Sequence, residues 1–445
     1  MKLILVTSIL PLFTSFTVFA QSNDTAKNSN WSDHFQLTVI SQRHPSFPAK
    51  YSGANSLSDS AEPTATSETA TLFLGRKLWK GAFFYLNPEV SGGKGLSFAK
   101  GVAGALNGET YRVGEVAPEV FIARAYLQQN IPIGAATEEM PDGINQVHSI
   151  LPANRITITA GKFAISDFYD DNTYSKDPRT QFFNWALWAN GSWDYPADTR
   201  GYTYGVVAEL IKPAWALRLS TVAVPRIANF HLMEYNIHAH SETFEFQHRV
   251  SIHKRKGNVR FMASRTFSRS PSYVAGIHAI ADKNTYLLNV INGSVENNQY
   301  GGSKYGLGLN VDQEISNDIG FFARVGWNDG KYASWAFTEI DRTLSGGFSI
   351  KGNKWKRAED VLGMGTAING ISEDHQLFLK EGGYGFIIGD SKLNYGLESI
   401  IEAYYSAALL KFLWLTLDYQ FIKNPGYNKD RGPVNVFGVR AHVEW

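Results

Sequence analysis

The sequence predicts an all-β chain, a transmembrane antiparallel β-barrel of about sixteen strands with short turns at one end and long loops at the other. Three observations predict it. Strand-length segments alternate apolar and polar residues with a period of two. The connections between them are alternately short and long. The chain closes on VNVFGVRAHVEW (434–445), an alternating strand whose last residue is aromatic.

The first twenty residues, MKLILVTSILPLFTSFTVFA, stand apart from this pattern. Lys2 gives a positive start, Leu3 to Phe19 an apolar run, and Val18-Phe19-Ala20 a small-residue cleavage site. That is the layout of a secretory signal peptide cut before Gln21. Residues 1–20 are therefore expected to be removed, 21–33 to form a short polar periplasmic lead, and 34–445 to form the barrel.

Each strand segment has two chemically distinct faces, because side chains in a strand point alternately to either side. FQLTVISQ (35–42) places Phe35, Leu37 and Val39 together. RITITAGK (155–162) opposes Ile156, Ile158 and Ala160 to Arg155, Thr157 and Thr159. AWALRLSTV (214–222) opposes Trp215, Leu217 and Leu219 to Arg218 and Ser220. FEFQHRVSI (244–252), IGFFARVGW (319–327) and LWLTLDYQF (413–421) repeat the arrangement. In a membrane barrel the apolar face meets lipid and the polar face a wet lumen.

The tight links are 79–82, 211–214, 254–257, 315–318, 351–357 and 409–411. The long ones are about 44–68, 92–118, 164–201, 224–242, 268–302, 369–393 and 423–433. Outer-membrane barrels have short periplasmic turns and long external loops, so a first strand rising from the periplasm puts every tight link on the periplasmic side. The segment 132–153 breaks the rule, since a short link is expected there. Strand boundaries in 268–302 and 334–370 are left open. The last strand then pairs with the first to close the wall, and its terminal aromatic faces the membrane boundary.

Composition narrows the class further. The chain has no cysteine, 28 Phe, 21 Tyr, 11 Trp and 40 Gly, and a formal net charge of +1. Disulfides and thiolate metal sites are excluded, and the charge gives no reason to expect nucleic acid. After the leader, no window reaches the roughly eighteen apolar residues of a transmembrane helix. No 40-residue blade repeat, of the kind a propeller requires, recurs.

Few local motifs carry chemistry. SGGKGLS (91–97) lacks the glycine and Ser/Thr spacing of a phosphate loop. DFYDDNTYSKD (167–177) gathers four aspartates without the spacing of an EF-hand calcium loop; holding the loop together or lying in solvent is expected, with calcium binding left open. The 11 histidines form no HExxH, and no GxSxG occurs. No metal site, cofactor or catalytic residue is expected, and a barrel enzyme is the remote alternative.

The candidate site is the lumen. By strand parity Arg124, Arg155, Arg218, Arg249, Arg260, Arg324 and Arg440 point inward, as do Glu245, Glu398, Glu402 and Asp418. Two readings stand open. The charges pair across the wall and stiffen it, or they exchange hydrogen bonds with a polyhydroxylated solute. Trp185, Trp188 and Trp193, in the long 164–201 loop, stack on sugar faces or pack the loop against the wall.

Several stretches resemble the carbohydrate-selective porin family, called OprB-like: QRHPSFPAKYSGANSL (42–57), GKFAISDFYDDNTYSKDPRTQFFNWAL (161–187), FARVGWNDG (322–330), GLESIIEAYYS (396–406) and DYQFIKNPGYNKDRGPVNVFGVRAHVEW (418–445). The resemblance spans nearly all of the mature chain. It implies a sixteen-stranded outer-membrane barrel admitting mono- and small oligosaccharides by passive diffusion; monomer or trimer is left open. Its expected partners are small carbohydrates, outer-membrane lipid and the barrel assembly machinery. A barrel of the same architecture for another polar or anionic nutrient is the alternative.

Overall fold

The computed structural model describes residues 29–53, 55–110, 117–390 and 393–445. The leader and most of the polar lead lie outside the described residues. The first strand, β1, runs Trp31–Arg43, so pairing begins slightly before residue 34.

Around the wall follow β2 (Ala65–Lys77), β3 (Ala82–Gly93) and β4 (Glu119–Pro132), then a small hairpin of β5 (Thr137–Met140) and β6 (Ser149–Pro152). Next come β7 (Arg155–Phe163), β8 (Thr203–Ile211) and β9 (Trp215–Val222), with a second small hairpin of β10 (Val224–Pro225) and β11 (Met233–Glu234). The wall continues through β12 (His240–Ile252), β13 (Arg255–Ser268), β14 (Gly302–Glu314), β15 (Ile319–Asn328), β16 (Arg342–Gly352), β17 (Arg357–Gly370), β18 (Glu398–Leu410), β19 (Leu413–Lys423) and β20 (Val434–Glu444). Without the two hairpins, sixteen strands close into one antiparallel barrel, each paired with its neighbour in sequence.

Closure joins β1 to β20, with Leu37 opposite Val443 and Val39 opposite Ala441. The Phe35 N–H donates to the Trp445 carbonyl at 3.0 Å, and the Trp445 N–H returns a bond of 3.2 Å. Pairing of β20 with β1 leaves the wall without a free edge.

Two connections differ from expectation. The link after β4 is not short but carries the β5–β6 hairpin. Residues 329–341 form an eighth long loop, which the alternating pattern hides. The open region 269–301 holds two helices, Tyr273–Ala281 and Thr285–Ile291, and no strand.

The faces follow parity. Leu219, Phe246, Leu309, Val325 and Leu417 are exposed on the outer wall, where lipid would cover them. Thr157, Thr243, Asn310 and Arg324 point in and are buried. What covers Thr243, Asn310 and Arg324 is the loop 164–202, which folds into the barrel. Phe182 packs edge-on against Tyr404 at 5.0 Å and lies 5.4 Å from Phe322. Fully burying such a side chain contributes roughly 1.5–3 kcal/mol. Inward glycines on the wall make the approach close. A Cβ at Gly326 would stand 2.0 Å from Asn190 Oδ1, and one at Gly308 would stand 2.4 Å from Asn190 Nδ2.

Candidate functional site

Most of the predicted inward charges grip the inward loops instead of facing open lumen. Arg324 sits on β15 with its Nε 3.0 Å from Asp170 Oδ1, and it donates to the carbonyls of Leu187, Asp170 and Ser175. Arg440 on β20 donates to the carbonyls of Pro178 (2.8 Å) and Gln181 (2.7 Å) and to Thr416 Oγ1. Its guanidinium lies over the Phe183 ring at 4.7 Å. Glu402 accepts the Phe183 and Asn184 N–H groups, and Glu245 accepts that of Asp170. Glu398 accepts from Ala103 and Gly104 of the loop between β3 and β4, and from Gly426. Asp418 accepts from Gln420 Nε2. Arg260 pairs with Asp312 on the wall and Asp171 in the loop. Each inward loop carries backbone donors and acceptors into a space without regular pairing, and these side chains satisfy them.

Two of the inward arginines lie away from mid-wall. Arg249 is not at mid-wall: it donates to the carbonyls of Lys212 and Pro213 at the periplasmic rim. Arg155 begins its strand and binds the Pro152 carbonyl and Glu138 of the adjoining hairpin. Parity gives the face of a side chain but not its depth.

The open lumen is lined by a different set. A cavity of about 610 Å³ is bounded by the loop 164–202 and the inner faces of β1 to β4, and Arg124 and Arg218 both reach it. Arg124 forks onto Asp167, Nε to Oδ2 and Nη2 to Oδ1, both 2.7 Å. Arg218 is held by Glu209, Glu245 and Gln247. At the cavity's floor stands Arg179, a loop residue that parity could not assign. It donates from Nε to Glu109 (2.9 Å), from Nη2 to Glu89 (3.1 Å) and from Nη1 to Thr71 (2.9 Å). Tyr202 donates to the other oxygen of Glu89 at 2.8 Å. Burial opposes the Arg179 cation, but Glu109 and Glu89 outweigh it and hold its pKa well above the usual arginine value. Arg179 also lines a second cavity of about 700 Å³ that continues toward Lys256, Ser316 and Lys351 at the periplasmic turns. It is the residue common to both cavities.

The three tryptophans pack. Trp185, Trp188 and Trp193 are buried. Trp185 stacks on Tyr195 at 5.1 Å and on Phe337 at 5.4 Å, and Trp188 meets it edge-on at 4.7 Å. Trp193 packs on Tyr169. Trp185 and Trp188 still present an edge to the first cavity. The acidic run 167–177 is spent on bracing: Asp167 on Arg124, Asp170 on Arg324, Asp171 on Lys176 at 2.7 Å, and Asp177 on the Arg179 N–H. Among the described residues, no group of three or more His, Asp or Glu is arranged to hold a metal ion.

Comparison with known proteins agrees with this architecture. The solved structure of Pseudomonas putida OprB at high pH shares the fold, with a TM-score of 0.67, 15% identity and 94% of each chain covered. The outer-membrane channel DcaP of Acinetobacter baumannii is more distant, with a TM-score of 0.52, 9% identity, and 94% of this chain and 98% of that one covered. No curated protein sequence matches the chain. The family model of the carbohydrate-selective porins, OprB family, matches residues 64–445, and with most of its length inside that match the chain belongs to this family of outer-membrane porins.

Proposed function

We propose that small carbohydrates cross this porin between the loop 164–202 and the inner faces of β1 to β4, passing Arg124 and Asp167 and then Arg179 with Glu89 and Glu109. The observation that carries the reading is that Arg179 alone lines both cavities, so the path between them runs beside its guanidinium. A sugar hydroxyl both donates and accepts, guanidinium groups only donate, and carboxylates only accept. A lumen that alternates the two can exchange the solute's water shell for protein partners step by step. The net gain at each step is small, because a channel must release what it binds.

The pairing favours neutral polyols over anions. Arg124 is matched by Asp167, Arg179 by Glu89 and Glu109, Arg200 by Glu119, and Arg218 by Glu209. An anion-selective path would leave arginines in excess. Transport by this route is diffusion down a gradient, with no bond made or broken in the solute.

The test is ion current through the reconstituted barrel, titrated with mono- and disaccharides and with organic anions. Neutral sugars should block the current at millimolar concentration, and Arg179→Ala should weaken that block severalfold. Block by anions without block by sugars would replace carbohydrate by an anionic nutrient at this site.

A further inference from the structure

We infer that the 133–154 segment is a second narrowing element of the pore, entering the lumen from the periplasmic side and setting the size limit of the first cavity at the level of the Arg124–Asp167 pair. This rests on the porin reading above and concerns a part of the chain that reading does not use.

Periplasmic connections in this barrel are otherwise turns of a few residues, as at 78–81, 212–214 and 411–412. This one is 22 residues long. Its hairpin pairs Thr137 with Pro152 and Met140 with Ser149. Its tip, PDGINQV (141–147), does not hang into the periplasm. Asp142 meets His34 of β1 at 3.1 Å. Val147 is buried beside Phe83, Tyr85 and Tyr126, all inward-facing. A Cβ on Gly75 of β2 would stand 2.8 Å from Val147 Cγ2, so the bare glycine is what lets the tip seat against the wall. Asn145 accepts a 2.9 Å bond from the Asn87 side chain.

The last contact fixes the depth. Asn87 lies directly opposite Arg124 in the β3–β4 register. From Ala82 at the periplasmic turn to Asn87 is roughly 17 Å along the strand. The tip therefore climbs to the level of the Arg124–Asp167 pair, and Ile144 and Asn145 line the same cavity as Arg124 and Arg179. An ion pair of Glu138 with Arg155 and a hydrogen bond between Glu139 and His148 brace the hairpin's base and arms. A solute crossing the first cavity toward Arg179 must pass this tip.

Three variants test the inference in planar bilayers and in liposome swelling with sugars of graded size. The first replaces 134–153 by Asn-Gly. The Ile133 N–H already donates to the Asn154 carbonyl, which is the geometry a two-residue hairpin turn closes. It should fold, conduct at least about twofold more than the parent, and pass oligosaccharides the parent excludes. The second, Ile144→Trp, adds bulk at a half-exposed tip position and should lower conductance. The third, Asn145→Cys, is the sole cysteine in the chain, and its reaction with a bulky thiol reagent should cut the current. If folded variants keep the parent's conductance and size limit, and modified Asn145→Cys keeps its current, the inference is overturned while the porin reading stands. A parent barrel that passes no sugar at all would instead overturn the porin reading.

Discussion

Arg324 and Asp170 form an ion pair sealed from solvent, Nε to Oδ1 at 3.0 Å, between a wall strand and the inward loop 154 positions away in sequence. Arg324 also collects three loop carbonyls, so one guanidinium fixes the course of the chain from Asp170 to Leu187. Burying a charge is costly unless its partners are complete, and here every N–H group but one has a partner within the loop.

Arg324→Ala should therefore destabilise more than an ordinary core truncation. It removes the counter-charge of the buried Asp170 carboxylate, which keeps only the Asn190 N–H and the Asn310 amide, and it takes the guanidinium from the Leu187 and Ser175 carbonyls, at a cost of roughly 3–5 kcal/mol. Heat modification on gels should shift to lower temperature. Conductance should become noisier as the loop loosens. Arg324→Lys should recover only part of the loss, because an ammonium cannot span the same acceptors. A thermal midpoint equal to the parent's would show that the pair does not hold the loop.

The girdle charges should govern ion selectivity directly. Arg179→Ala removes the cation between Glu109 and Glu89 and should move the reversal potential toward cations. Glu89→Gln should move it the opposite way while keeping an acceptor for Tyr202, the amide nitrogen replacing the oxygen that accepts from Thr71 and Arg179. Severalfold changes in permeability ratio are expected, and larger at low salt where screening is weak. Changes of equal sign in the two variants would mean that Arg179 does not face the ion path.

The sequence made the wall legible because the dyad period is a local signal. Arg324 and Arg440 are inward by parity, and so are Glu402 and Asp418. Their partners were not legible, since Asp170, Pro178 and Phe183 come from a loop whose fold depends on packing against distant strands. Arg179 sits in that loop, so no period marks it, although DPRTQFF lies inside a stretch that resembles the family. The depth of Arg249 is not legible for a related reason. Parity repeats along a strand, and only the register places a residue at mid-wall or at the rim. The β5–β6 hairpin was hidden because TEEM (137–140) carries no apolar alternation.

Glu339 should make the outer loops sensitive to pH. It is fully buried in the loop 329–341, and its Oε2 accepts the N–H groups of Ile387 (3.0 Å) and Ile388 (2.7 Å) from the loop after β17. Burial outweighs those bonds and pushes its carboxyl up to about 8 from 4.5. The folded state then binds a proton more tightly than the unfolded one. Its stabilising effect is complete below 4.5 and is lost as pH rises through about 8. Limited proteolysis of the 371–390 loop should accelerate between pH 5 and pH 9, and Glu339→Gln should flatten the dependence. Cleavage that slows with rising pH would contradict this sign.

Barrel closure should depend on the chemistry of the last side chain. Trp445 stacks on Phe35 with ring centroids 4.4 Å apart, at the seam where β20 meets β1. Both residues lie at the periplasmic end, where an aromatic sits well at the membrane boundary. An aromatic pair adds about 0.5–1.5 kcal/mol beyond the area it buries. Trp445→Phe keeps the stack and should assemble like the parent. Trp445→Ala loses it and should lower the folded fraction. Trp445→Asp adds a carboxylate beside lipid and should lower it further. The backbone bonds between Phe35 and Trp445 survive all three changes, so the difference isolates the ring. Phe35→Ala should then match Trp445→Ala, because either change removes the same contact. Folded yield is read as the heat-modifiable band in outer-membrane fractions. Equal yields across the set would place the closing strength in the β1–β20 ladder alone, with the terminal ring contributing nothing to it.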